Sequence, residues 1–214
     1  LLDIPGAYQE SIDLEHFALA DDPAVELVVP PGQRHRRDAT WSDVERTIGA
    51  GGYRGIVIAS SYGYHSLGEI SYKQHRLYHG DKAAFLADFL QESRADELSV
   101  LKRLAPHIRL NARKCWILTL VTKEDLWWAD RADVDIHYRS GEYGKIVDEV
   151  VRHVGGDRLR HEFAFSSLVI SNFTTGRDEL LANTVAGYDQ IRQVKSLRRL
   201  WETFDALKSW EERP

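Results

Sequence analysis

The chain has 214 residues, 43% of them hydrophobic, with six Trp, nine Tyr and a formal net charge of −5. That length and apolar content suit one α/β domain with or without extensions, and the acidic balance excludes a global basic footprint for nucleic acid. No apolar run approaches the about 20 residues of a membrane-spanning helix, and the single cysteine, Cys115, excludes an internal disulfide framework and fits a reducing, cytoplasmic setting.

Residues 1–11 read as irregular. Ile12 to Ala20 predicts a strand with Ile12, Leu14, His16 and Ala18 on one side. Asp21-Asp22-Pro23 is a turn signal, and Val25 to Val29 predicts a second strand paired with the first. Pro30-Pro31-Gly32 ends it, because proline has no N–H for a ladder. Trp41 to Ala50 predicts a helix stopped by Gly49, Gly51 and Gly52. Gly55 to Ala59 is apolar on both faces, as a strand buried in a parallel sheet would be. The aromatic and His-rich stretch that follows, residues 62–80, reads as a loop or insertion. Asp81 is the expected cap of a long amphipathic helix to Leu104. Ala84, Phe85, Ala87, Leu90, Leu98 and Leu101 form its inner side, and Pro106 lies beyond its end.

Cys115 to Val121 is the strongest strand signal. Gly144 to Val154 predicts a helix stopped by Gly155-Gly156, and Phe163 to Ile170 another strand. Arg177 to Leu207 predicts one or two helices with Leu197, Leu200, Trp201, Phe204 and Leu207 as a core stripe, so residues 186–214 read as a C-terminal helical extension. The alternation predicts an α/β three-layer sandwich with a mainly parallel sheet and an N-terminal antiparallel hairpin, with ligands bound at the carboxyl ends of the strands.

Three short segments at strand ends carry a resemblance. Thr122-Lys123-Glu124-Asp125 directly follows the strand 115–121. Ser171-Asn172-Phe173 follows the next predicted strand. Val29-Pro30-Pro31-Gly32-Gln33 follows the second strand of the hairpin. Together, in this order, they resemble the motifs of P-loop GTPases of the small, bacterial TRAFAC type, over roughly residues 12–185. The first is similar to the guanine-recognition motif Asn/Thr-Lys-x-Asp. The resemblance implies that Asp125 accepts the ring N–H and exocyclic amine of guanine, a donor pair adenine lacks. It implies that Thr122 and Lys123 frame the base, with Ser171 and Asn172 in the loop that meets the guanine carbonyl. Gly32 would sense the γ-phosphate and Gln33 would orient the attacking water. Ser11, before the hairpin, would stand in for the residue that reaches Mg²⁺.

The implied ligands are GTP or GDP with Mg²⁺, and the implied role is a switch or slow GTP hydrolase with a protein partner at the switch regions. Two departures weigh against ordinary catalysis. Val29 stands where the family has a metal-linked Asp, and no G-x-x-x-x-G-K-[ST] phosphate loop occurs. Asp3-Ile4-Pro5-Gly6 is a competing match for the γ-phosphate motif, although spacing to the strand at Gly55 favours Gly32. The chain contains no Met, so residues upstream of Leu1, including a phosphate loop, are expected. A catalytically degenerate interaction module is the alternative, and an unrelated Rossmann-like enzyme with its site at the same strand ends is a third reading.

Other constellations have blander readings. His65, His75 and His79 among Tyr62, Tyr64, Tyr72 and Tyr78 read as a surface loop rather than a metal site. Trp127 and Trp128 read as packing. Arg34, His35, Arg36 and Arg37 stand where a phosphate-facing switch would, and equally fit a solvated charged segment.

Overall fold

The structure, a computed structural model, describes residues 15–19, 22–30 and 34–213. Glu15–Leu19 (β1) and Asp22–Val29 (β2) form the expected antiparallel hairpin, with Glu15 opposite Val29. Arg34–Gly49 (α1) begins well before the predicted Trp41. It buries Trp41, Val44 and Ile48, which recur at helical spacing along one side.

A parallel sheet follows. Gly55–Ser60 (β3), Cys115–Val121 (β4) and Leu159–Phe165 (β5) lie in the order β3-β4-β5, with Ile58 opposite Thr119 and Thr119 opposite Phe163. Lys82–Leu110 (α2) connects β3 to β4. Glu124–Trp127 (α3), Arg131–Arg139 (α4) and Glu142–Val154 (α5) connect β4 to β5. Phe173–Thr174 (β6) and Leu180–Ala182 (β7) form a small antiparallel hairpin before Gln190–Glu211 (α6).

Strand alternation builds the layers. Ile58, Ile117 and Val121 turn toward Phe85, Leu101, Ile108, Val147 and Val150 of α2 and α5. Trp116, Leu118 and Ala164 turn toward Leu200, Phe204 and Leu207 of α6. Both faces of β4 are therefore covered, with Ile117 and Leu118 each 2% exposed and Val121 0%. Burying an aliphatic side chain of this size contributes about 1.5–3 kcal/mol, which is why this strand carries the clearest sequence signal. The opposite holds at β3, where Val57 is 44% exposed. α6 reaches β4 and β5 but leaves that side of the edge strand open.

The structure corrects four sequence expectations. Pro106 lies inside α2 instead of beyond it. Leu104, Ala105 and Ile108 are all buried, and their packing outweighs the missing backbone hydrogen bond near the helix end. The third parallel strand is Leu159–Phe165, not 163–170. Trp201 is 66% exposed and belongs to no core stripe, whereas Leu207 is fully buried. Residues 173–182, whose later part was expected to be helical, form the β6–β7 hairpin. Asp81 caps α2 as expected, accepting from the Ala84 N–H at 2.6 Å.

The polar start of β5 has a specific accommodation. His161 Nε2 lies 2.9 Å from Thr119 Oγ1, and Arg160 and Glu162 pair with each other at 2.8 Å. Burial, reinforced by the Arg139 charge, lowers the His161 imidazole to about 4, so it stays neutral in the fold. The unfolded chain binds this proton below its ordinary value of about 6.5, and the native state does not until about pH 4. Native stability therefore falls with acid across that window. His75 and His137 are lowered by burial in the same direction. Urea denaturation is expected to lose up to about 3 kcal/mol between neutral and pH 4 from His161. His161→Gln, which keeps a partner for Thr119, is expected to flatten that part of the slope, and an unchanged slope would contradict the assignment.

Candidate functional site

The carboxyl ends of β3, β4 and β5 converge on one polar cluster. Thr122, just past β4, donates both its N–H and its Oγ1 to the Ser60 carbonyl, at 2.8 and 2.9 Å. Trp127 donates its indole N–H back to the Thr122 carbonyl at 2.7 Å. Ser166, just past β5, donates its N–H to Val121 and accepts from the Glu124 N–H. The three strand ends are tied to one another by backbone hydrogen bonds before any side chain is placed.

Lys123 adopts a left-handed conformation, φ 57°, which turns its side chain inward. Its ammonium donates to the Tyr64 carbonyl and sits 5.4 Å from the Phe173 ring centroid. Burial lowers this ammonium below its ordinary value, against the opposing pull of Asp125 and Glu97. Lys123 thus fastens the loop after β3.

Asp125 is 2% exposed. Its Oδ1 accepts from Ser167 Oγ at 2.5 Å. Its Oδ2 accepts from the Ser171 N–H at 3.1 Å and Thr184 Oγ1 at 3.4 Å. The Asp125 carbonyl accepts from the Val185 N–H at 3.0 Å. Asn172 contributes at one remove, accepting the Thr184 N–H at 2.9 Å. Asp125, Ser171 and Asn172 therefore meet as one group, while Thr122 and Lys123 face toward β3. Beside them Glu124 is buried and accepts from Tyr188 at 3.0 Å. Burial raises the Glu124 carboxyl, opposed by the hydroxyls of Ser196 and Tyr188. Ser11, Gly32 and Gln33 lie outside the described residues, as do Asp3 and Gly6. Arg34–Arg37 open α1.

A third buried carboxylate, apart from Asp125 and Glu124, is not among the residues the sequence singles out. Glu97, on α2, is 5% exposed. Its Oε1 accepts from the Ser61 and Gly63 N–H groups at 2.9 and 3.1 Å and lies 2.9 Å from His65 Nε2. Its Oε2 accepts from Tyr138 at 2.6 Å, and Tyr138 accepts in turn from the Tyr62 N–H at 3.0 Å. Burial alone would raise the Glu97 carboxyl, but the bonds from His65, Tyr138 and Ser61 overcome it and hold it below the ordinary range. The loop 61–65 is thereby shaped from beneath. The sequence did carry a signal, a lone Glu in line with Phe89, Ser93 and Leu101 on the buried side of α2.

The same loop needs a glycine. Gly63 has φ +88°, and a Cβ there would lie 2.4 Å from the Leu90 carbonyl oxygen. Gly63→Ala is expected to cost at least about 2 kcal/mol in urea unfolding, from left-handed strain of about 1–2 kcal/mol plus the clash with backbone. A variant as stable as the parent would show that this loop yields freely.

His65, on the loop after β3, reaches Glu97 while its side chain stays 33% exposed, and Trp127 packs at 2% exposure. Two guanidiniums approach the Trp128 ring, those of Arg131 at 5.0 Å and Arg192 at 4.8 Å from its centroid. Among the described residues no group of His, Cys, Asp and Glu side chains is arranged to hold a metal ion, and no helix is long and apolar enough to cross a membrane. Compared with known proteins, the chain matches no family model, no curated protein and no solved structure.

Proposed function

We propose that the chain is a guanine-nucleotide-binding domain of the GTPase type, with Asp125 as the group that selects guanine. The observation that supports it is the setting of Asp125. A carboxylate stands at the carboxyl end of the central parallel strand, within a shell of short-range donors from the loop after the next strand. A carboxylate at this place would distinguish a base carrying two adjacent N–H donors from one without them once those donors take over acceptor positions now filled from that loop. The alternation of the three parallel strands with helices, after one hairpin and before another, supports the same reading, since ligands of such sheets bind at the carboxyl ends.

The rest of the nucleotide site is part of the proposal. Gly32 and Gln33 would serve the γ-phosphate and the attacking water, and Ser11 would serve Mg²⁺. The phosphate loop would come from a segment outside the 214 residues. Among the described residues β3 is an outer strand of the sheet, and a further parallel strand beside it would carry that loop. The Val29 side chain has no oxygen to offer a metal, so hydrolysis would be slow.

Titration with GTP and Mg²⁺ is expected to change the fluorescence of Trp127 and Trp128 saturably, and ATP is expected not to. One observation favours a second reading, a GTPase-like interaction module without nucleotide. Leu168, Val169, Ile191 and Val194 are all more than half exposed beside Asp125, as a partner surface would be. Absence of any GTP response would select that reading.

A further inference from the structure

The β6–β7 hairpin spans the carboxyl end of the sheet, and its base rests on Asp125. Ser171 and Thr184 flank the hairpin, and both donate to Asp125 Oδ2. The tip is fastened at the far side, on the loop after β3. Gly176 N–H donates to the Gly68 carbonyl at 2.8 Å, and Arg177 Nε to the Glu69 carbonyl at 2.7 Å. Glu179 accepts from Ser71 Oγ at 2.8 Å and the Tyr72 N–H at 3.2 Å. Phe173 and Leu181, at 4% and 3% exposure, seat the underside.

This leaves Asp125 too few acceptor positions for a ligand with two N–H donors. An ionised carboxylate has about four acceptor positions. Three are filled from Ser167, Ser171 and Thr184, and the residue is 2% exposed. A base with two parallel N–H donors needs an open side on the carboxylate, and Oδ2 is the oxygen with two donors already.

We propose that residues 171–184 are an intramolecular strap that occupies the ligand's place on Asp125, so that binding requires Ser171 and Thr184 to move off. This rests on the reading of Asp125 as the base-selecting group. The strap makes affinity depend on the open fraction, because a ligand that binds only the open form is weakened in proportion to how rarely that form occurs. Glu179 controls that fraction from the tip and touches neither Asp125 nor the proposed ligand.

The test uses the full-length protein, Glu179→Ala, and two measurements. Hydrogen exchange without ligand is expected to show amides of 171–184 exchanging faster in Glu179→Ala than in the parent. Calorimetry with GTP and Mg²⁺ is expected to show Glu179→Ala binding at least about threefold tighter, the effect of removing part of a closing interaction. GTP added to the parent is expected to speed exchange in 171–184 while slowing it around Asp125. Equal GTP affinity in the two proteins, or GTP binding that leaves exchange of 171–184 unchanged, overturns the strap alone. No GTP binding by either protein removes the guanine reading and the strap's gating role together, even if Glu179→Ala loosens the hairpin. Faster exchange in Thr184→Val, which keeps the shape and drops one donor, serves as the second variant if Glu179→Ala fails to fold.

Discussion

Glu97→Ala is expected to destabilise the protein by roughly 3–6 kcal/mol, measured by urea unfolding at neutral pH. The reason is asymmetry. The carboxylate itself is well partnered, so its removal leaves the partners stranded. The Ser61 and Gly63 N–H groups and the Tyr138 hydroxyl lose their acceptor, and Tyr138 is 0% exposed. Each buried donor left unmade costs about 1–3 kcal/mol. Against a total stability of about 5–15 kcal/mol, that loss approaches unfolding. Glu97→Gln is expected to cost less, since the amide oxygen still accepts from the loop while its NH₂ opposes Tyr138. The lowered Glu97 carboxyl also sets a direction with pH. Its contribution is complete above the ordinary carboxylate value and is lost as pH falls through its lower folded value. A loss below about 1 kcal/mol for Glu97→Ala would show that water replaces the carboxylate, and the loop 61–65 is then not built on it.

Asp125→Asn is expected to weaken GTP about 100-fold. The substitution removes a charge and turns one acceptor into a donor, so one guanine N–H would face an amide N–H. A charge-assisted hydrogen bond contributes about 1.5–3 kcal/mol, and each 1.4 kcal/mol is tenfold in affinity. The same substitution is expected to loosen residues 171–184 in the absence of nucleotide, because the Ser171 N–H and Thr184 Oγ1 lose part of their anchor. A change in hairpin exchange without a change in GTP affinity would assign Asp125 a purely structural role.

What the sequence exposes follows from how local each cause is. β4 is readable because seven consecutive residues, Cys115 to Val121, suit a strand buried on both faces. The Asp81 cap is readable because the donor lies three residues away, at Ala84. Asp125 is readable as a position because a turn after such a strand falls at the carboxyl edge of the sheet. Its shell is not, since Ser167 and Thr184 lie 42 and 59 residues along the chain. Glu97 is hidden for the same reason, its partners lying 32 to 41 residues away. The start of β5 is hidden because Arg160, His161 and Glu162 look like surface residues until Thr119 pairs with the imidazole. Apolarity alone puts Trp201 in the core stripe, but α6 turns Leu200, Phe204 and Leu207 inward and leaves Trp201 66% exposed. Pro106 suggested an end that tertiary packing overrides.

The most direct measurement is calorimetry of the full-length protein and its Asp125→Asn variant with three nucleotides, GTP, ATP and xanthosine triphosphate. Xanthine carries a carbonyl where guanine carries the amine, so an asparagine NH₂ can donate to it where a carboxylate can only repel it. The parent is expected to bind GTP at least about 100-fold more tightly than ATP or xanthosine triphosphate, and Asp125→Asn is expected to exchange that preference for xanthosine triphosphate. Equal binding of GTP and ATP by the parent, or a GTP preference that survives in Asp125→Asn, would contradict a guanine site built on Asp125.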